Sequence, residues 1–236
     1  MLKWIFRIIV LLIVGTSAAA YALPGPHQSL FPRSNNLVEI APNIYTDSKD
    51  RSEEFTEMLR KSWETVDEFF VERRSNPRIV ICTKPECEKR VFNREGPRGI
   101  AYGYSLIILA AKGANETILT HELSHTELKR RMKPLDYFAQ RFPGWFDEGL
   151  AVWLSGDDRF TDPGLAARER MLQVKSFRGW GDAIKDIGWK DAYGASEALV
   201  EDMIAASSVD DLRALISRVE AGEDFDMLRD QMLKGS

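Results

Sequence analysis

The chain has few of the residues that mark several specialised protein classes. Only two cysteines and three histidines occur among 236 residues, and a chain of this length can bury a core without depending on disulfides or structural metals. Basic residues are not in excess, since 32 Lys and Arg face 36 Asp and Glu, and a nucleic-acid-binding protein is therefore not expected. No internal repeat or low-complexity tract is present. The 44% apolar and 29% charged composition is that of an ordinary globular protein.

Long hydrophobic runs are absent except at the N-terminus. Lys3 and Arg7 flank the apolar run 8–14, and small residues follow up to Ala20-Tyr21-Ala22, which is the pattern of a secretory signal peptide with its cleavage site. An uncleaved anchor over residues 4–23 is the alternative, because about 20 residues span a bilayer. Both interpretations predict an exported protein, periplasmic or extracellular, and the second tethers it to the inner membrane.

The remaining chain divides into a short lead-in and one domain. Residues 23–36 are rich in Pro, Gly, Ser and Asn and are predicted to be a linker, and residues 37–236 are predicted to form a single domain. The two cysteines, Cys82 and Cys87, lie in this domain and can form a disulfide in an oxidising compartment. Two free thiols are the alternative. A metal site there is not expected, because no other Cys or His lies nearby.

The periodicity of apolar residues predicts an α+β fold. Strands are expected over 37–46, 79–82 and 100–110, and helices over 50–72, 85–92 and from Glu116 to Pro134. Everything after that is predicted to be helical, at 144–155, 164–174, 191–206, 208–219 and 223–233. A small mixed sheet is thus followed by a mostly helical C-terminal half.

Two of the three histidines lie four residues apart, in His121-Glu122-Leu123-Ser124-His125. Residues four apart share one face of a helix, so two imidazoles placed in this way can bind one zinc ion. Glu122 can then act as general base toward the water that such an ion activates. The pattern arises by chance in roughly one chain in 150 of this length, so a third ligand is needed to support it.

Glu148 is the candidate third ligand. It follows His125 after 22 intervening residues, in Trp145-Phe146-Asp147-Glu148-Gly149, which leaves room for a loop and for a second helix packed against the first. Water would occupy the fourth position, as in catalytic zinc sites. The alternative is a solvated carboxylate at a helix start. Asp147 is expected either to orient a ligand or to cap the helix.

The two segments together resemble the gluzincin metallopeptidases, specifically the peptidase MA-like domains of bacterial envelopes. This resemblance implies a zincin-like fold, zinc bound by His121, His125 and Glu148, and Glu122 as base. It also implies a tyrosine near the start of a later helix that stabilises the oxyanion, a role that falls to Tyr193, with a core tyrosine as the alternative. The strand 99–104 lacks the glutamate with which aminopeptidase-type members bind a free N-terminus.

The sequence therefore predicts a zinc-dependent hydrolase of peptide bonds that acts on a peptide or protein outside the cytoplasm. A zincin-fold binding or scaffold protein of the cell envelope is the alternative. Hydrolysis of amide bonds in cell-wall peptides is not distinguished from protein cleavage by these residues.

Overall fold

A computed structural model describes residues 23–93, 96–132 and 141–234, together with Trp4, and only the backbone of Phe177 and Arg178. The contacts separate the chain into two compact units. Counting the described residues alone, the first comprises those up to 57 with those in 78–100 and 106–114, and the second comprises 58–77, 101–105 and those from 115 onward. The predicted α+β class is confirmed, since a five-stranded sheet accompanies a larger number of helical residues.

The sheet lies largely in the first unit. Its strands are β1 (Val38–Ala41), β2 (Ile44–Thr46), β3 (Arg78–Ile81), β4 (Gly99–Tyr102) and β5 (Leu106–Leu109), in the spatial order β1-β2-β3-β5-β4. β1 pairs antiparallel with β2, whereas β2 with β3 and β3 with β5 pair in parallel. Residues 79–81 and 107–109 are completely buried. Such unbroken apolar runs are typical of parallel strands that are covered on both faces.

Two strands predicted as continuous are each divided by a turn. The segment 37–46 forms β1 and β2 because Asn43 adopts a left-handed conformation, with φ 67°. The segment 100–110 forms β4 and β5, separated by a turn in which Gly103 has φ 62°. Asn and Gly tolerate positive φ, and a single such residue is enough to reverse a chain of otherwise strand-forming residues.

Cys82 and Cys87 are joined by a disulfide directly after β3. The loop that it closes is also held by Asp47, whose carboxylate accepts hydrogen bonds from the backbone N–H groups of Thr83 (2.8 Å) and Lys84 (2.9 Å). The predicted helix 85–92 begins as Pro85–Cys87 and continues as a π-helical turn, Glu88–Phe92.

Helices make up most of the second unit. Helix α1 (Ser52–Phe70), whose residues from Met58 onward belong to this unit, buries the predicted apolar positions Phe55, Leu59, Val66, Phe69 and Phe70. The others are α2 (Glu116–Arg130), α3 (Gly144–Ser155), α4 (Leu165–Leu172), α5 (Phe177–Ile187), α6 (Trp189–Ala206), α7 (Val209–Ala221) and α8 (Phe225–Lys234). α3 packs against both α2 and α6. The predicted boundaries agree within a few residues, except that α2 ends at Arg130 and α5 was not predicted.

Helix α5 has clear boundaries that the sequence pattern did not reveal. Its N-cap is Ser176, whose hydroxyl accepts a hydrogen bond from the backbone N–H of Gly179 at 3.1 Å, and Gly188 ends it with φ 86°. Gly179 and Gly181 lie inside the helix and weaken its helical signal, because glycine is a poor helix former.

The N-terminal predictions fall mostly outside the described residues. The predicted signal peptide or anchor, residues 1–22, lies there apart from Trp4. Among the described residues, no helix combines the length and the apolar character needed to cross a bilayer. The predicted linker 23–36 contains two short 3-10 turns, Pro26–Leu30 and Arg33–Asn35, and its Gln28 and Ser29 are buried.

Candidate metal centre

Helix α2 presents both histidines of the H-E-x-x-H segment on one face. The helix begins at the N-cap Asn115, whose side-chain oxygen accepts a hydrogen bond from the backbone N–H of Ile118 at 3.0 Å. His121 and His125 are buried, and their Nε2 atoms lie 3.1 Å apart. One turn of helix therefore brings the two imidazoles to a single point.

Helix α3 brings Glu148 to the same point. It starts after Pro143, and its first turn is held in the core by Trp145 and Phe146, which are completely buried. Glu148 Oε2 lies 3.5 Å from the Nε2 atom of His121 and 3.5 Å from that of His125.

The three side chains fit a shared metal ion. Two donor atoms about 2.1 Å from a tetrahedral zinc lie about 3.4 Å apart, close to the three distances between Nε2, Nε2 and Oε2 in this site. Glu148 Oε2 is buried and has no hydrogen-bond partner among the described residues. An unpartnered carboxylate oxygen is costly in a protein interior unless a cation binds it. Two imidazoles and a carboxylate form a donor set that zinc accepts.

The electrostatics of the site favour a positive charge. Burial lowers the pKa of His125, but the carboxylates of Asp147 and Glu148 outweigh it and raise this pKa to about 10. Burial raises the pKa of Glu148, but the positive charges of the nearby His125 and His121 outweigh this effect and hold the pKa below its usual range. A metal cation supplies the same compensating charge without a proton.

Asp147 and Lys129 form a second layer behind His125. The Oδ1 atom of Asp147 lies 2.6 Å from Nδ1 of His125 and accepts its hydrogen bond, which leaves Nε2 as the metal-facing nitrogen. The ammonium group of Lys129, itself buried, lies 3.9 Å from the other oxygen of Asp147. Asp147 therefore contacts His125, as the orienting role predicts, and the N-cap position of α3 is occupied by Pro143.

Glu122 lies between the two histidines in sequence and is buried. Its carboxylate has no hydrogen-bond partner among the described residues. Burial raises its pKa, and the charges of His121 and His125 act against that rise. A carboxylate with no fixed partner can accept a proton from a bound water.

Tyr193 lies near the start of helix α6, and its ring is close to that of His121. Its ring centroid is 6.1 Å from that of His121, and the ring stacks on Phe160 at 4.9 Å and contacts Trp180 edge-on at 5.0 Å. The negative charge of Glu148, followed by burial, raises the pKa of Tyr193 well above its usual value. The phenol therefore keeps its proton and can donate a hydrogen bond.

Gly149 allows helices α3 and α6 to approach closely enough to assemble this site. A Cβ atom at this position would lie 2.2 Å from the backbone oxygen of Ser196 in α6. No side chain fits such a gap without moving one of the helices.

Gly149→Ala is therefore expected to destabilise the protein by about 2–3 kcal/mol, measured as the free energy of unfolding in urea. Gly181→Ala is the matched control, because the new Cβ would meet no described atom within 4 Å. An alanine inside helix α5 should leave stability unchanged or raise it by up to about 1 kcal/mol. Equal effects of the two substitutions would contradict the close packing of α3 and α6.

Several residues around the centre were not foreseen from the sequence. Phe160 and Trp180 enclose Tyr193, Lys129 approaches Asp147, and Arg159 forms an ion pair with Asp157. Ser176 and Gly188 cap the two ends of the helix that carries Trp180, and they are the sequence signals from which this helix could have been predicted. No pattern in the sequence marks the others, because their roles depend on contacts between distant segments.

Comparisons with known proteins add little to this geometry. No family model matches the chain, and no solved structure matches it significantly. An uncharacterised protein of Bacillus subtilis (strain 168), YhcO, is 24% identical over 111 residues, which cover 47% of this chain. The match spans 34% of the length of that relative.

Proposed function

We propose that the protein is a zinc-dependent hydrolase of peptide bonds with a zincin-like, gluzincin-type fold. His121, His125 and Glu148 would hold the ion. The observation that carries this proposal is the approach of two Nε2 atoms and one carboxylate oxygen to within 3.1–3.5 Å of one another at a buried point.

The other residues at this point have the chemistry that peptide hydrolysis needs. A zinc ion at this point would be a Lewis acid that lowers the pKa of the attacking water to about 7. Glu122 would accept the proton of the attacking water and later deliver a proton to the leaving amine. Tyr193 would donate a hydrogen bond to the oxyanion that develops at the carbonyl oxygen of the cleaved bond. Asp147 would keep His125 in the orientation that binding requires.

The alternative function is that of a binding or scaffold protein with the same fold and little catalysis. The presence of all three candidate ligands together with Glu122 argues against it, because a site that had lost catalysis would be expected to lack one of these four residues. Cleavage of amide bonds in cell-wall peptides remains within the proposed reaction, since the same groups would catalyse it.

Residues 1–22 support a location of the protein outside the cytoplasm. Their basic start, apolar run and small-residue end are the features of an export signal, and residues 4–23 would serve as a membrane tether if uncleaved. A peptide or protein substrate in the periplasm or outside the cell follows from this proposal, and nucleic acid is not a proposed partner.

Metal analysis combined with a peptide library tests the proposal. The purified protein should contain about one zinc per chain by elemental analysis, and it should cleave some members of a random peptide library, with products identified by mass spectrometry. A chelator should abolish cleavage, and added zinc should restore it. A zinc-loaded protein that cleaves no member would favour the binding function.

A further inference from the structure

Arg159, which follows helix α3, uses only one edge of its guanidinium group in hydrogen bonds within the described part of the protein. After α3 ends at Gly156, the chain places the carboxylate of Asp157 in a buried position, 2% exposed. This carboxylate accepts a hydrogen bond from Arg159 Nε at 2.7 Å and a second one from Nη2. Both carboxylate oxygens are thus satisfied by the Nε–Nη2 edge of the guanidinium.

The other edge of the guanidinium is not used within the protein. Arg159 Nη1 has no hydrogen-bond partner in residues 23–93, 96–132 and 141–234, and the side chain is 30% exposed. An arginine presents five donors in a rigid fork, so a guanidinium fixed by one edge offers the second edge to a carboxylate. The buried Asp157 holds the guanidinium of Arg159 in one place, because it fixes a long side chain that would otherwise be mobile.

Stacked rings connect Arg159 to the centre. Its guanidinium carbon lies 5.1 Å from the ring centroid of Phe160, Phe160 stacks on Tyr193 at 4.9 Å, and Tyr193 is next to His121. The segment is pressed onto α6, since a Cβ atom on Gly194 would lie 2.1 Å from the backbone oxygen of Thr161. Arg159 is therefore a fixed cation that the rings of Phe160 and Tyr193 link to the candidate centre.

Lys129, the second cation near the centre, is less accessible to a ligand than Arg159. The side chain of Lys129 is 6% exposed and faces Asp147, whereas that of Arg159 is five times more exposed. A negatively charged ligand group that reaches the centre would therefore meet the guanidinium rather than the ammonium group.

We propose that Arg159 binds a carboxylate of the peptide substrate through its Nη1 edge, so that the enzyme prefers peptides with a negative charge close to the cleaved bond. This inference rests on the proposed peptidase function. The carboxylate can come from the C-terminus of the peptide or from an acidic side chain, and both sources offer the same planar pair of oxygens.

Binding to a hydrolytically inactive variant tests the inference separately from catalysis. Zinc-loaded Glu122→Gln is titrated by calorimetry with two pairs of peptides, selected from the library cleaved by the wild type or, if none is cleaved, from its tightest binders. One pair has a free or an amidated C-terminus, and the other has an internal Glu or Gln. We expect about tenfold tighter binding of the charged member in at least one pair, and that pair identifies the source of the carboxylate.

Arg159→Gln in the same background should remove this preference and leave the affinity for the neutral peptides unchanged. Arg159→Lys keeps the charge without the fork, should retain about a threefold preference, and serves as the test if the glutamine variant does not fold. Arg170→Gln is the control for net charge, because Arg170 pairs with Asp186 at the surface and should not alter the preference.

The outcomes separate the inference from the proposed function. If the charged peptides are not preferred, or are still preferred without Arg159, the inference is wrong. Cleavage by the wild type would then still support a peptidase. A preference that depends on Arg159, with no cleavage by the wild type, overturns the peptidase and leaves a carboxylate-binding site. If no peptide binds and the wild type cleaves none, both are wrong.

Discussion

Glu122→Gln is expected to bind zinc as tightly as the wild type and to lose about 10³-fold in kcat for peptide hydrolysis. Glutamine has nearly the same shape as glutamate, so the packing of helix α2 should not change. Its amide cannot accept the proton of the attacking water. Elemental analysis measures the zinc, and initial rates on a peptide identified from the library measure the turnover.

The matched control is Glu116→Gln, at the exposed start of the same helix. It removes the same charge from α2 without touching the centre and should keep full activity. Turnover at the wild-type rate in the Glu122 variant would show that the base has been assigned to the wrong residue. A simultaneous loss of zinc would show instead that Glu122 helps to bind the metal.

Glu148→Ala is expected to lower the zinc affinity by more than about 100-fold, since loss of a group that only orients a ligand costs 10–100-fold. The substitution removes the single donor that α3 contributes and leaves two imidazoles that cannot complete a site. Competition with a zinc-binding fluorophore measures the affinity. Asp147→Asn should give a smaller loss, about 10–100-fold, because the ligand His125 stays in place but loses its orienting carboxylate.

Glu169→Ala is the control for this series, because Glu169 is an exposed glutamate on helix α4. It should bind zinc like the wild type. Melting curves of each variant, with and without zinc, separate a lost ligand from a lost fold. Stoichiometric zinc with unchanged affinity in Glu148→Ala would mean that another residue is the third ligand.

The α+β class and most helices followed from the sequence alone, because the apolar periodicity of a helix is a local property. The apolar stripe of α1 and the boundaries of α3 are examples. The strand predictions were less accurate, since Asn43 and Gly103 each reverse the chain within a run of strand-forming residues. One backbone angle decides such a turn, and the pattern of side chains around it does not.

The sequence by itself determined that His121 and His125 lie on one face of helix α2, because a fixed helical spacing dictates where residues four apart point, and it predicted Glu148 and Glu122 as their partners in the candidate centre. Only the tertiary structure decided what surrounds them. The hydrogen bond from His125 to Asp147, the ring of Phe160 on Tyr193 and the ion pair of Asp157 with Arg159 depend on how the helices pack. That packing depends on close approaches such as the one at Gly149, which no local pattern encodes.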